Sequence, residues 1–460
     1  MGRRDANRSS GLQRQAVVRR SAADGGFVLR GFLGVTYLTA VLFKLDSGSW
    51  NLFEELASGQ FMKVTDIKTQ IVNMNFRNAV IVRVETDEGI AGFAETVMKR
   101  KTKTVERSIL DLKRYLIGKD PTEIETHWER MYRDSFWVGG PLHSTAISAV
   151  DCALWDILGK VAGLPVYKLL GGPTRTRIPT YCHCSAGDSP EMFAANVKIC
   201  KARGYRALKT TLPLFYGEGN RGVDRTHVNG SGYSGTQGTI DSHWKETEFL
   251  DPSIFGRIRE FFIAAREAGG ADMGIAVDCH GRLNPKDARR LCRALEDLNL
   301  LFVEEPVPPE NVDGLRLVQR ETTIPIAAGE RWATIYGVRP FLEQHAVDYL
   351  QCDLVNCGGI TGMKKIAALA EAHYIGMAPH NPNGPLATVM NLHYAAAIPN
   401  FFVLETIGSE AEETLTTQFL ANPPIFSEGA LELPAGPGFG VDLLHEALDA
   451  RPYTPCSGGR

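Results

Sequence analysis

The chain has 460 residues, a length that admits about three domains of ~150 residues each, although one α/β barrel can absorb about 250. Hydrophobic residues make up 44% and charged residues 22%, with 46 Gly and 24 Pro, a globular balance that excludes disordered, collagen-like and coiled-coil chains. Lys and Arg number 50 against 53 Asp and Glu, for a net charge of -3, so no global field draws the chain to nucleic acid or to an anionic membrane.

Residues 1–30 hold seven Arg against two Asp, a local +5. The apolar run at 31–43 is shorter than the ~20 residues that span a bilayer. A signal peptide, a presequence or an interaction arm are the alternatives to an extension without fixed structure over 1–61. Folding is expected to begin at Met62, where MKVTDIKTQIV alternates as a first strand. AVIVRVETDEG then supplies a second strand that closes in a turn at 87–89, which is a β-meander. Helical periodicity follows at 103–116, 122–132 and 144–162, the last apolar on nearly all sides and therefore buried. An α+β domain is expected over 62–175.

From 176 to about 430, short apolar runs alternate with amphipathic helices. The expected strands are 178–182, 207–211, 274–278, 300–304, 324–328, 349–353, 376–380 and 401–405. Eight strands alternating with helices indicate a parallel sheet closed into a (β/α) barrel. A doubly wound open sheet is the alternative, but no Gly-rich phosphate loop follows the first strand. Residues 431–460 are expected to return as a tail onto the first domain.

The nine cysteines contain no CxxC pair and no zinc-ligand spacing, which points to reduced core thiols of a cytoplasmic protein. Cys182 and Cys184, flanking His183, are expected to be a strand thiol pair rather than metal ligands.

Reactive groups of a barrel sit where strands meet the loops at the carboxyl face. Asp278, Glu304, Glu330, Asp353, His380 and Glu405 recur there at nearly equal intervals, one βα unit each, which places them side by side around one mouth. A single carboxylate at a strand end is often a helix cap or an ion-pair partner. Asp278, Glu304 and Glu330 on three successive strands also suit a hard divalent cation such as Mg²⁺.

VDCHGR (277–282), FVEEP (302–306), AAGER (327–331), DLVNCGGITG (353–362) and APHNPNGP (378–385) resemble motifs of the mandelate racemase subgroup of the enolase superfamily. The likeness is strongest to acid-sugar dehydratases of the D-galactonate dehydratase type. It covers about 62–450, including DEGIAGFAE and ALWDILGKVAGLPVYKLLGG of the capping domain. The resemblance implies an α+β cap over a barrel and Mg²⁺ held by Asp278, Glu304 and Glu330, with Glu305 as a neighbour. It further implies a base His380 partnered by Asp353, an acidic Glu405 near the substrate carboxylate, and His280 as general acid. The implied reaction is dehydration of a sugar acid to a 2-keto-3-deoxy acid, with Lys209 adding positive charge.

Lys209 matches the first Lys of the racemase KxK pattern, but Thr211 stands where the second Lys, a base for the opposite face, would be. Thr cannot act as that base, so dehydration is favoured over an epimerase or racemase. A catalytically idle binding or regulatory relative is the alternative of another class. Substrate contacts are expected from Arg77, Trp137, His143, Thr211, His227 and Arg282. The interval between Lys209 and Asp278 is far longer than one βα unit. It contains a Gly-rich loop at 217–244, with Tyr216, His227 and His243 as candidate hydroxyl contacts; a subunit-contact or mobile loop is the alternative. A small-molecule sugar acid is the expected partner, in a homo-oligomer, with no nucleic acid and no membrane.

Overall fold

A computed structural model describes residues 17–20, 27–30, 41–42, 61–75, 77–215 and 252–455. The chain divides into two compact units, Met1–Phe61 and Met62–Arg460. In the first, strands β1 (Val17–Arg20), β2 (Phe27–Arg30) and β3 (Val41–Leu42) pair antiparallel in chain order.

The second unit opens with a meander of β4 (Val64–Asn73), β5 (Asn78–Thr86) and β6 (Ala91–Thr96). Helices Thr102–Asp111, Ile124–Arg133 and Gly140–Ala162 follow. The third of these is buried almost continuously from Ser144 to Leu154, as its lack of a polar face requires. Gly163, left-handed at φ 66°, stops it.

Eight parallel strands come next: β7 (Arg177–His183), β8 (Ala207–Thr211), β9 (Gly274–Asp278), β10 (Phe302–Glu304), β11 (Ile326–Ala328), β12 (Tyr349–Leu350), β13 (Gly376–Met377) and β14 (Leu404–Thr406). β7 to β13 pair in chain order. The ring closes because β14 pairs in parallel with β7, Glu405 opposite Tyr181. A parallel bridge from Met377 to Phe401 joins β13 to the approach of β14. This is the expected (β/α) barrel. Helices such as Pro190–Ala202 and Pro285–Leu295 fill the crossovers, and their starts are legible: Ser189 and Asn284 accept from the backbone three residues on, each followed by Pro.

β15 (Phe426–Ser427) and β16 (Ala430–Glu432) form a hairpin whose second strand runs antiparallel to the start of β7. The tail then meets the meander side, where Phe439 N donates to Asp156 at 2.8 Å and Asn73 N donates to the Arg451 carbonyl at 2.9 Å. Among the described residues no helix is long and apolar enough to cross a membrane.

Candidate active site

Period-two alternation decides what the barrel interior presents. Tyr181, Ala276, Phe302, Ala327, Ala378 and Val403 pack together as an apolar floor, with Ala207 and Tyr349 against it. The residues between them along the strands, among them Leu208, Val277 and Val303, belong instead to the large core under the helices. Two residues beyond each floor position, the inward face carries His183, Lys209, Asp278, Glu304, Gln351, His380 and Glu405. After β11 the phase breaks. Gly329 stands at that place with φ 141°, where a Cβ would lie 3.0 Å from the Gln351 and Cys352 nitrogens, and the next residue, Glu330, turns into the mouth.

Lys209 is the hub of the charges. Its Nζ is 2.9 and 2.8 Å from the two Glu304 oxygens, 2.9 Å from Glu405 Oε1 and 3.5 Å from Asp278 Oδ2. Burial alone would lower its pKa, but Glu304 and Glu405 outweigh burial and hold it well above the usual lysine value. Lys209 is therefore a fixed cation and not a base. Burial and the adjacent Asp278 push Glu304 up to about 8 against the pull of Lys209, so the cluster is short of positive charge. Gln351 Nε2 donates to Glu304 at 2.7 Å. Glu405, fully buried, also meets His183 and accepts from Asn381 N at 3.1 Å.

The two candidate catalytic histidines lean on different carboxylates. His380 Nδ1 is 2.7 Å from Asp353 Oδ2, and its Nε2 is 2.8 Å from Glu330 Oε2. Asp353 is steadied by Asn383 Nδ2 at 3.0 Å and Val355 N at 2.9 Å. Burial opposes a charged His380, but Glu330 and Glu405 outweigh it and raise the pKa well above the usual value. His280 Nε2 is 3.2 Å from Asp278 Oδ2, and here burial wins and lowers the pKa. Among the described residues no three of His, Cys, Asp and Glu converge as they stand to hold an ion. Asp278, Glu304 and Glu330 each face a basic side chain instead.

Beside His183 opens a cavity of about 430 Å³, lined by Asn75 and Arg77 from the β4–β5 turn and by Pro382, Ile407, Ser409 and Ala411 from the barrel. The Arg77 guanidinium lies within electrostatic reach of Asp353, Glu405 and Glu330.

Two family profiles match the sequence. "Mandelate racemase / muconate lactonizing enzyme, N-terminal domain" covers residues 59–171, and "Enolase C-terminal domain-like" covers residues 251–447. The chain is 35% identical over 399 residues to a D-mannonate dehydratase from Caulobacter vibrioides, spanning 85% of this chain and 95% of that one. It is 34% identical to a D-galactonate dehydratase family member from Streptomyces bingchenggensis, over 83% of this chain and 91% of the relative. The crystal structure of an enolase superfamily member from Salmonella Typhimurium superposes with a TM-score of 0.73 at 31% identity, covering 85% of this chain and 99% of the other. The chain belongs to the mandelate racemase/muconate lactonizing enzyme family of the enolase superfamily. Within it, the chain is a D-galactonate dehydratase-like hydro-lyase of the acid-sugar type.

In this dehydratase the hydrogen bonds and ion pairs bring Lys209, Asp278, His280, Glu304, Glu330, Asp353, His380 and Glu405 to one mouth. Arg282, buried, lies within electrostatic reach of His280, and Thr211 pairs opposite Asp278 at the strand end. For two expected substrate contacts the described contacts are local. Trp137 is 84% exposed beside Phe136, and His143 packs 6.1 Å from the Tyr132 ring; among the described contacts none ties either to the mouth. Tyr216, His227, His243 and the loop at 217–244 lie outside the described residues. Sequence reasoning missed His183 and Gln351. Their signal was the strand phase, since each follows an interior residue by two, and His183 precedes Lys209 by one βα interval, as the later strand ends precede one another.

Proposed function

We propose that this dehydratase converts an aldonic acid, such as galactonate or gluconate, into a 2-keto-3-deoxy acid with Mg²⁺ as cofactor, acting as a cytoplasmic homo-oligomer. The observation that carries the reading is the pair of histidines: both reach the same ring of carboxylates, one backed by Asp353, while Lys209 is held charged and cannot serve as a second base.

Asp278, Glu304 and Glu330 would hold the ion. Their oxygens are the donors a hard cation takes, and the raised Glu304 marks a cluster that lacks positive charge. Bound there, Mg²⁺ would supply electrophilic stabilisation of negative charge on the substrate carboxylate.

The chain's own groups move the protons. His380 Nε2 takes the proton next to the substrate carboxylate, and Asp353 fixes the tautomer and stabilises the resulting imidazolium. The C–H electron pair forms the new double bond, and the β C–O bond breaks as His280 gives its proton to the leaving oxygen, so that water departs. The enol then becomes the 2-keto-3-deoxy acid. Lys209 is a fixed positive charge beside the developing anion, and Glu405 faces the substrate carboxylate. Arg77, which lines the cavity beside His183, would meet the far hydroxyls of a polyol acid. Elimination needs a neutral His380 and a charged His280, and the Glu330 charge is the largest attraction that keeps a proton on His380; committing that carboxylate to a cation loosens the proton.

An epimerase needs a base on each face, and neither Lys209 nor Thr211 qualifies. A screen of sugar acids with Mg²⁺, using semicarbazide to detect the 2-keto product, tests the reading. Turnover of one aldonate is expected. A protein that binds acids and turns over none is the idle relative instead.

A further inference from the structure

His280 and Glu305 hold left-handed backbone, at φ 49° and φ 40°, although neither is glycine. They follow β9 and β10, which pair side by side with Asp278 opposite Glu304. Left-handed backbone outside glycine persists only where the surroundings fix it, and it gathers at working sites. Here the surroundings are explicit. His280 N donates to Asp278 Oδ1 at 2.9 Å, and Gly281 N donates to the Glu305 carbonyl at 2.7 Å. Cys279 N donates to the Glu304 carbonyl and Glu305 N to the Ala327 carbonyl, each at 2.9 Å. The ends of β9, β10 and β11 are thus laced together.

Arg331, in the turn after β11, closes the lacing. Its Nε donates to Glu305 Oε1 at 3.0 Å and its Nη2 lies 2.6 Å from Oε2, with Glu305 itself buried. The same guanidinium lies against Gly281, where a Cβ would stand 2.5 Å from Nη2 and 3.2 Å from the Pro308 Cα. One side chain therefore grips Glu305 and covers the residue whose N–H the Glu305 carbonyl holds.

We propose that Arg331 and Glu305 are positioning residues that clasp the 280–281 backbone and aim the His280 imidazole at the leaving oxygen. The inference rests on the reading of His280 as the general acid. Without the clasp, residue 280 relaxes toward ordinary backbone, and its imidazole leaves its place 3.2 Å from Asp278 Oδ2. The base is steadied separately: Asp353, which meets His380 Nδ1, accepts from Asn383 and Val355. Removal of the α-proton should therefore outlast loss of the β-hydroxyl. Arg331 Nε is also 3.8 Å from Glu330 Oε1, and an effect passed through that carboxylate would show in the affinity for Mg²⁺.

The test compares wild type, Arg331→Leu, Gly281→Ala and His280→Asn as full-length proteins with Mg²⁺. Dehydration of galactonate and gluconate is read with semicarbazide, α-proton exchange in D₂O by NMR of recovered substrate, and amide exchange over 279–282 by mass spectrometry without substrate. Arg331→Leu should lose about 10–10²-fold of dehydration, the scale set by a misplacement of ~1 Å, yet keep α-proton exchange and Mg²⁺ affinity. Its amides over 279–282 should exchange several-fold faster. Gly281→Ala, whose Cβ displaces the guanidinium, should show the same split between dehydration and α-proton exchange, so the test survives if Arg331→Leu fails to fold. Parallel loss of α-proton exchange, weakened Mg²⁺ binding or unchanged amide exchange in Arg331→Leu overturns the clasp. If His280→Asn itself abolishes α-proton exchange, the assignment of His280 as the acid falls, and the clasp with it.

Discussion

His380 and His280 stand on opposite sides of an electrostatic divide. The first is held between Asp353 and Glu330, whereas the second faces Asp278 and is lowered by burial. If His380 is the base and His280 the acid, His280→Asn blocks loss of the hydroxyl but still lets the α-proton exchange in D₂O, as read by NMR of recovered substrate. His380→Asn stops both. Each change should slow dehydration by about 10²–10⁴-fold, the usual worth of a positioned acid or base. Exchange that persists in His380→Asn would show that the base is misassigned. His280 came only from the family likeness of VDCHGR, whereas His380 was legible because an ionisable group recurring at the βα interval is improbable without a shared mouth. His183 and Gln351 were not, since a lone histidine between two cysteines and a neutral amide carry no charge pattern; only the two-residue phase from Tyr181 and Tyr349 marks them.

Two barrel helices begin without a capping side chain of their own, at Gly358 and Gly384. Their orphan N–H groups are met by residues from the N-terminal elements. Ser148 Oγ accepts from Gly358 and Gly359 at 2.8 and 2.9 Å, and Asp151 accepts from Thr361 at 3.0 Å. Glu95 of β6 accepts from Gly384, Leu386 and Ala387 at 2.6, 3.1 and 3.3 Å. The loops held this way carry Asp353 and His380. Gly–Gly and Asn–Gly–Pro in the sequence announce a helix start with no local acceptor, but the partners lie far away along the chain and are invisible to any local pattern. Glu95→Ala should therefore cost about 1–3 kcal/mol of stability, the penalty for stranding buried donors. It should lower kcat more than KM, because the loop bearing the base loosens; thermal melts and steady-state kinetics check both.

Asp151 gives the same interface a pH dependence. Burial pushes its carboxyl to about 7 from an ordinary 3.8, and Oδ1 is buried without a hydrogen-bond partner. Between those two values the folded protein keeps a proton that the unfolded chain has released. Stability therefore falls as pH rises from about 4 to about 7, by up to ~1.4 kcal/mol per pH unit for one proton. Asp151→Asn keeps an acceptor for Thr361 and should flatten part of that fall in melts across this range. Glu95 and Glu412, also pushed to about 7, Glu304, pushed to about 8, and Asp156, raised by burial, keep the remainder, and an unchanged slope in the variant would remove Asp151 from the account.

At the scale of the whole molecule, the alternation of short apolar runs with amphipathic helices made eight strands and their order readable, and the capping helices followed from their periodicity. Closure was implied only by the count of eight. It rests on β14 meeting β7, the last strand of the ring on the first, a pairing that no sequence interval encodes. Charge, too, is unevenly spread: positions 1–30 hold +5 of a chain whose net is -3, leaving -8 for the rest, and the inward face of the barrel concentrates acids around one lysine. A site built this way should gain stability from the ion it holds. For the chelator-treated protein, Mg²⁺ at about 100 times its Kd should add about 2.7 kcal/mol, read as a rise in melting temperature. Glu304→Gln removes a donor and part of the repulsion that makes a cation welcome, so the Mg²⁺-dependent rise should vanish even if the apo protein melts no lower. An equal rise in Glu304→Gln would place the bound ion elsewhere and remove Asp278, Glu304 and Glu330 as its ligands.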